Sequence, residues 1–265
     1  MTDFKKICVL GLGYVGLPTA AIFASRGIQV FGVDTNVKTV ETINQGKIHI
    51  IEPGLDSLVN EAVKTGKLTA NSQPEQSDAF IIAVPTPFEN NHKPDLTFIE
   101  SAVRSIAPVL QKGALVILES TSPIGTTEKI CQWLAEERKD LSLPDMAGDG
   151  SDIQVSHSPE RVLPGNILEE IINNDRVIGG ISNYCTTRTE QLYKIVIKSD
   201  CLLTTAATAE FIKLSENAYR DINIAFANEL SIVADKIGIN VWQAIELANH
   251  HPRVNILQPG PGVGG

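Results

Sequence analysis

The chain has 265 residues, 43% of them hydrophobic and 20% charged. That is enough apolar material to close a substantial core without disulfides, and it excludes intrinsic disorder and a fibrous repeat. Its 22 basic against 31 acidic side chains give a formal net charge of −9, spread along the chain, so no electrostatic footprint for nucleic acid or an anionic membrane surface is present.

At roughly 100–200 residues per domain the length accommodates one large domain and part of another. The opening segment MTDFKKICVLGLGYVG has only four apolar residues between its lysines and a glycine loop, too few for a signal peptide or a membrane span. Cys8, Cys131, Cys185 and Cys201 are far apart, with no CxxC pair and no His at ligand spacing. The expectation is a cytoplasmic protein with reduced, mostly buried thiols and no metal site.

From Lys5 to Ile117 short apolar runs alternate with amphipathic stretches. The strand ICVL precedes a helix from about Tyr14 to Arg26, and VFGV precedes a helix starting near Asn36. AFIIAV (79–84) and ALVIL (114–118) are unbroken apolar strands, with a helix from about Leu96 between them. This order predicts an α/β fold, a doubly wound Rossmann-type domain whose parallel sheet is covered on both faces. Pro123 and Gly125 open a further helix through Glu137. DLSLPDMAGDGSD reads as a loop, DIQVSHSP and RVIGG as strands, Tyr184 to Lys198 as a helix and CLLTT as a strand.

After Thr205 about thirty residues without Gly or Pro, ending at Gly238, predict one long helix. Phe211, Leu214, Ala218, Ile222, Ala225, Phe226 and Val233 form an apolar stripe along it, with Lys213, Asn217 and Arg220 on a neighbouring face. VWQAIELAN predicts a short second helix before the loop QPGPGVGG. The domain division expected is 1–203 for the sheet domain and 204–265 for an incomplete helical domain.

GLGYVG (11–16) follows a strand and opens a helix, the context in which GxGxxG binds a dinucleotide. Gly11 suits the tight turn, Gly13 lets the backbone approach a pyrophosphate at the helix N-terminus, and Gly16 allows close helix packing. Asp34 ends the second strand about 20 residues on, where a carboxylate accepts ribose hydroxyls. With no positive charge at Thr35 or Asn36, NAD is expected in preference to NADP. Thr86 in AVPTP and Thr121, Ser122, Thr126 and Thr127 in ESTSPIGTT sit at strand exits, where hydroxyls cap helices as readily as they bind ligands. Glu160 and Arg161 in SPERVLPG fit a surface salt bridge, and Lys213 with Asn217 a solvated helix face, as well as they fit a site.

Taken together, GLGYVGLP, VDTN, AVPTP, ESTSPIGTT, SPERVLPG, EFIKLSENAYRDINIAFANEL and HPRVNILQPGPGVGG resemble, in this order and along the whole chain, the UDP-glucose/GDP-mannose 6-dehydrogenase family. The wording is nearest the branch that oxidises UDP-N-acetylhexosamines, UDP-N-acetyl-D-mannosamine first among them. The resemblance implies oxidation of a sugar C6 alcohol to a carboxylate with two NAD, through a thiohemiacetal and a thioester on a cysteine. It assigns Tyr14, Val15, Asp34, Thr86 and Thr127 to NAD along with the loop glycines, and Thr121 to the reacting centre. Lys213 becomes the acid/base or oxyanion-stabilising group, Asn217 its helper and Glu160 the residue that assists water. Arg161, Val162, Arg220, His251, Arg253 and Gly264 hold the UDP-sugar, beside Lys213 and Asn217.

The resemblance also implies a homodimer packed through the long helix. In the family the nucleophilic Cys follows GVGG, whereas this sequence ends at Gly265. The reading is therefore of a fragment that binds NAD without turning over. Two alternatives stand beside it: an NAD-binding or dimerisation module without catalysis, and a 3-hydroxy acid dehydrogenase, which also has a Lys with an Asn four residues later.

Overall fold

The computed structural model describes residues 4–88 and 93–262, and the chain divides into two compact units, Met1–Phe211 and Ile212–Gly265. The first is built on one eight-stranded sheet in the order β3-β2-β1-β4-β5-β6-β7-β8. Its strands are β1 (Lys6–Leu10), β2 (Gln29–Val33), β3 (Leu68–Asn71), β4 (Ala79–Ile82), β5 (Leu115–Leu118), β6 (Gln154–His157), β7 (Arg176–Gly180) and β8 (Cys201–Thr205). Every pair is parallel except β6 with β7.

Why the central strands are apolar without alternation is visible in the two cores. Ile7, Val9, Ala79, Ile81, Leu115 and Ile117 point to one face, against α1 (Gly16–Ser25), α3 (Leu55–Lys64), α7 (Ile167–Asn173) and α8 (Asn183–Tyr193). Cys8, Leu10, Phe80, Ile82, Val116 and Leu118 point to the other, against α4 (Thr97–Ile106) and α5 (Thr126–Glu137). A strand with both faces covered has no solvent side on which to place polar residues.

α2 (Val37–Asn44) is capped by the Asn36 side chain, which accepts from the Lys38 amide at 3.0 Å. Three elements are additional to the sequence reading: α3, β3 and α7. The segment expected as a loop holds one turn of helix, α6 (Pro144–Ala147), and α8 stops at Tyr193, after which Val196 and Ile197 turn back into the core. The antiparallel direction of the β6–β7 pair is a detail the sequence reading did not specify.

α9 (Ala206–Ile237) is the long helix. Its first residues, buried Ala206, Ala209 and Glu210, belong to the sheet unit. In the second unit α9 runs on to Gly238, whose φ of +74° stops it, and α10 (Val241–Ala248) starts under an Asn240 cap. Reciprocal amide bonds order the segment after α10. Asn249 exchanges two hydrogen bonds with Ile256, at 2.9 and 2.8 Å, and Asn228 does the same with Gly260. Among the described residues no helix is long and apolar enough to cross a membrane.

Candidate functional site at the carboxyl edge of the sheet

The glycine loop joins β1 to α1, and its three glycines have different reasons. Gly11 sits at φ +88°, and a Cβ there would lie 2.5 Å from the Ala83 carbonyl oxygen. At Gly16 a Cβ would lie 1.8 Å from the Gly11 oxygen, so both positions are demanded by the fold itself. Around Gly13 no residue beyond its chain neighbours Leu12 and Tyr14 comes within 4 Å of that position, so the fold alone does not explain the third glycine. The N-terminus of α1 has no side-chain cap and no acidic residue in its first turn, leaving backbone donors and the positive end of the helix dipole for an anion.

Asp34, half-buried just past β2, braces this loop. Its carboxylate accepts from the Leu12 amide at 3.0 Å and from the Asn36 amide at 2.8 Å. An ionised carboxylate has roughly four acceptor directions, so these bonds are compatible with further acceptance from a ribose. Tyr14 is exposed on the same loop. Next along the sheet edge, the Thr86 hydroxyl donates to the Thr121 carbonyl at 2.7 Å, and the Ser120 hydroxyl donates to the Val84 carbonyl at 2.7 Å. The β4 and β5 exits are thereby laced into one rigid rim. Ser122 is buried and its hydroxyl has no hydrogen-bond partner among the described residues.

Thr127, expected beside NAD, is the second residue of α5. Its side chain is fully buried, its hydroxyl donates to Glu210 at 2.6 Å and its amide to the same carboxylate oxygen at 2.8 Å. The Gly125 amide donates to the other oxygen at 2.6 Å. The N-terminus of α5 is thus already neutralised by an internal carboxylate from the start of α9. Burial pushes the Glu210 carboxyl up, against these donors, which pull it down.

The SPERVLPG loop is fixed at both ends after it leaves β6. At its far end Glu52 accepts from the Gly165 and Ile167 amides at 2.9 and 2.7 Å. At its near end Glu160 is buried. It accepts from the Arg161 amide at 2.6 Å and pairs with Arg176 at 3.5 Å. Arg176 also pairs with Glu119, donates to Ser158 at 2.8 Å and lies 3.9 Å over the Tyr193 ring. Tyr193 donates to Glu119 at 2.7 Å. Burial pushes Glu119 up to about 7, opposed by Arg176 and reinforced by Glu160. Arg161 donates to the Asp175 carbonyl at 3.1 Å, and Val162 packs on the core.

The sheet edge therefore brings together Gly11, Gly13, Tyr14, Val15, Gly16, Asp34, Thr86 and Thr121, with Glu160, Arg161 and Val162 on the loop after β6. Lys213 and Asn217 are half-buried and Arg220 exposed on the part of α9 in the second unit. His251 and Arg253 are exposed in the turn after α10, where the Arg253 amide donates to His251 Nδ1 at 3.3 Å; Gly264 lies outside the described residues. Sequence reasoning missed Glu119, Arg176, Tyr193, Glu210 and Glu52. A charged residue directly bounding an apolar strand, as in ALVILE and RVIGG, was the available signal for the first two. Of the four cysteines, Cys8, Cys131 and Cys185 are buried and Cys201 half-buried. Burial pushes Cys8 up to about 12 and raises Cys131 further, the opposite of what a nucleophile needs.

Sheet, glycine loop and acidic brace define a dinucleotide-binding protein of Rossmann type, with a polar loop and a helical unit appended. Residues 5–197 match the NAD binding domain of the UDP-glucose/GDP-mannose dehydrogenase family, and residues 207–265 match its central domain. The chain belongs to that family, an NAD-dependent group of oxidoreductases, and its first unit carries the family's NAD-binding domain. It is 62% identical over its whole length to a UDP-N-acetyl-D-mannosamine dehydrogenase of Campylobacter jejuni, of which it spans 65%. It is also 59% identical to an NDP-N-acetyl-D-galactosaminuronic acid dehydrogenase of Ralstonia nicotianae, covering 99% of this chain and 62% of that one. Among solved structures, the UDP-D-ManNAc dehydrogenase of Pyrococcus horikoshii superposes with a TM-score of 0.91 at 47% identity, over 98% of this chain and 61% of the other.

Proposed function

We propose that this chain serves the NAD-dependent oxidation of the C6 alcohol of a UDP-N-acetylhexosamine, UDP-N-acetyl-D-mannosamine in the first instance, to the uronate. The observation that carries the reading is the space left at Gly13. Two glycines of the loop are required by the fold, and the third is accounted for by a pyrophosphate approaching the backbone. NAD, when bound, supplies the hydride acceptor. Gly11, Gly13, Tyr14, Val15, Gly16, Asp34 and Thr86 hold it, with Thr127 contributing through the Glu210 cap. Thr121 borders the reacting centre.

Lys213 stabilises the developing alkoxide or takes its proton, with Asn217 orienting it, because charge building on oxygen needs a fixed cation or donor. Glu160, held by the Arg161 amide, orients water for release of the acid. Arg161, Val162, Arg220, His251, Arg253 and Gly264 hold the UDP-sugar, arginine offering a planar fork that suits a diphosphate. No buried cysteine of this sequence suits the thiol role. The 265-residue polypeptide is therefore expected to bind NAD and to make no NADH.

The apolar side chains Phe211, Ile222, Phe226 and Val233, each more than half exposed, support pairing of α9 with a second copy as a homodimer. Calorimetry tests the reading: NAD binds, NADP binds at least about tenfold more weakly, and UDP-N-acetyl-D-mannosamine binds more tightly than UDP. Equal affinity for NAD and NADP, or a sugar nucleotide no better than UDP, would contradict it. Sedimentation separates monomer from dimer.

A further inference from the structure

The cluster under the SPERVLPG loop is more than a stabilising feature of the core, because one guanidinium at the start of β7 serves two strand exits at once. Arg176, the first residue of β7, reaches Glu119 just past β5 and both Ser158 and Glu160 just past β6. Glu119 and Glu160 are both buried, and two carboxylates sharing one cation in a desolvated site compete for it.

We infer that Arg176 is the positioning residue for Glu160, and that the charge on Glu119 sets how firmly it holds. The inference rests on Glu160 acting on water as proposed above. The geometry that carries it is a chain of contacts with Glu160 at its outer end. One oxygen of Glu160 is fixed by the Arg161 amide and the other by Arg176. Arg176 is fixed in turn by Ser158, by Glu119 and by the face of Tyr193. The titratable and charged groups facing Glu119 are Arg176 from β7, Tyr193 from α8 and Glu160 from the loop after β6; α1 adds the Thr19 hydroxyl at 3.5 Å. When Glu119 is neutral, Arg176 is left to Glu160 and the loop tightens. When Glu119 ionises, the guanidinium is shared and the hold on Glu160 relaxes.

The test uses the 265-residue polypeptide with carboxyl-¹³C glutamate, followed by NMR from roughly pH 5 to roughly pH 9, a window around the Glu119 midpoint of about 7. The Glu160 resonance is expected to show an inflection at the Glu119 midpoint, and the Arg161 amide to lose protection severalfold as pH rises through it. Both effects are expected to vanish in Glu119→Gln, which keeps the size and one carbonyl acceptor for Arg176 and Tyr193. In Arg176→Lys the Arg161 amide loses protection at every pH. Should that variant fail to fold, Glu119→Gln alone decides. A Glu160 signal and an Arg161 amide indifferent to Glu119→Gln would overturn the inference, since a purely structural cluster produces no shared inflection. NAD calorimetry on the same samples reads the functional assignment separately: coupling without NAD binding would sink the latter and leave the former.

Discussion

Substituting alanine separately at Gly13 and Gly16 distinguishes a glycine kept for a ligand from one kept for the fold. At Gly16 the new Cβ would stand 1.8 Å from the Gly11 oxygen, and reaching 3.0 Å, below which real Cβ contacts are essentially never seen, requires the loop and α1 to part by about 1.2 Å. Such overpacking costs about 1–3 kcal/mol, and more where backbone must move. Gly16→Ala is thus expected to unfold at clearly lower urea and to lose NAD as a consequence.

At Gly13 no residue beyond the chain neighbours comes within 4 Å of the new Cβ, and φ is not in the left-handed region. Alanine there should stabilise by about 0.4–1 kcal/mol through the unfolded chain. The same methyl occupies the approach of the pyrophosphate, so Kd for NAD is expected to rise by at least about tenfold, or 1.4 kcal/mol. Urea denaturation and calorimetry on the two variants give four numbers. A Gly13→Ala protein that is as stable as the parent and binds NAD equally well would refute the reasoning about the loop.

Removing the Glu210 carboxylate leaves the Gly125 and Thr127 amides and the Thr127 hydroxyl without their acceptor, so Glu210→Ala is expected to cost roughly 2–4 kcal/mol in urea unfolding, with partial recovery in Glu210→Gln. Glu119 is raised from 4.5 to about 7 in the folded chain, so the folded state holds a proton that the unfolded state releases. The stability this proton confers is full below about pH 4.5 and is lost as pH rises through about 7, up to about 3 kcal/mol. Denaturation curves at several pH values should show that decline, and Glu119→Gln should flatten it. In native conditions a thiol reagent should modify half-buried Cys201 slowly and spare Cys8, Cys131 and Cys185 until unfolding; rapid native labelling of Cys8 would contradict its burial.

What the sequence made legible was local. The Gly11–Gly16 loop, Asp34 and the apolar runs of β4 and β5 each carry their signal within a few residues, and α9 announces itself by thirty residues without a breaker. α3 also had a signal, Leu55, Val59 and Ala62 on one face, although β3 with four residues did not. The parts that escaped are set by distant partners: α7 is capped by Glu52, 115 residues before its first amide, and Glu119 meets Arg176 across 57 residues. The antiparallel turn of β7 has no local mark either. The bond from Thr127 to Glu210 was hidden for the same reason, since that partner lies 83 residues on.

The most direct test of the account is a titration of NAD into the folded 265-residue polypeptide, repeated with Asp34→Ala. Saturable binding that weakens at least about tenfold in the variant is the expected result, because Asp34 both shapes the loop through Leu12 and receives the ribose. No heat from NAD with well-folded protein, or binding indifferent to Asp34, would contradict the assignment of the cofactor to this cleft.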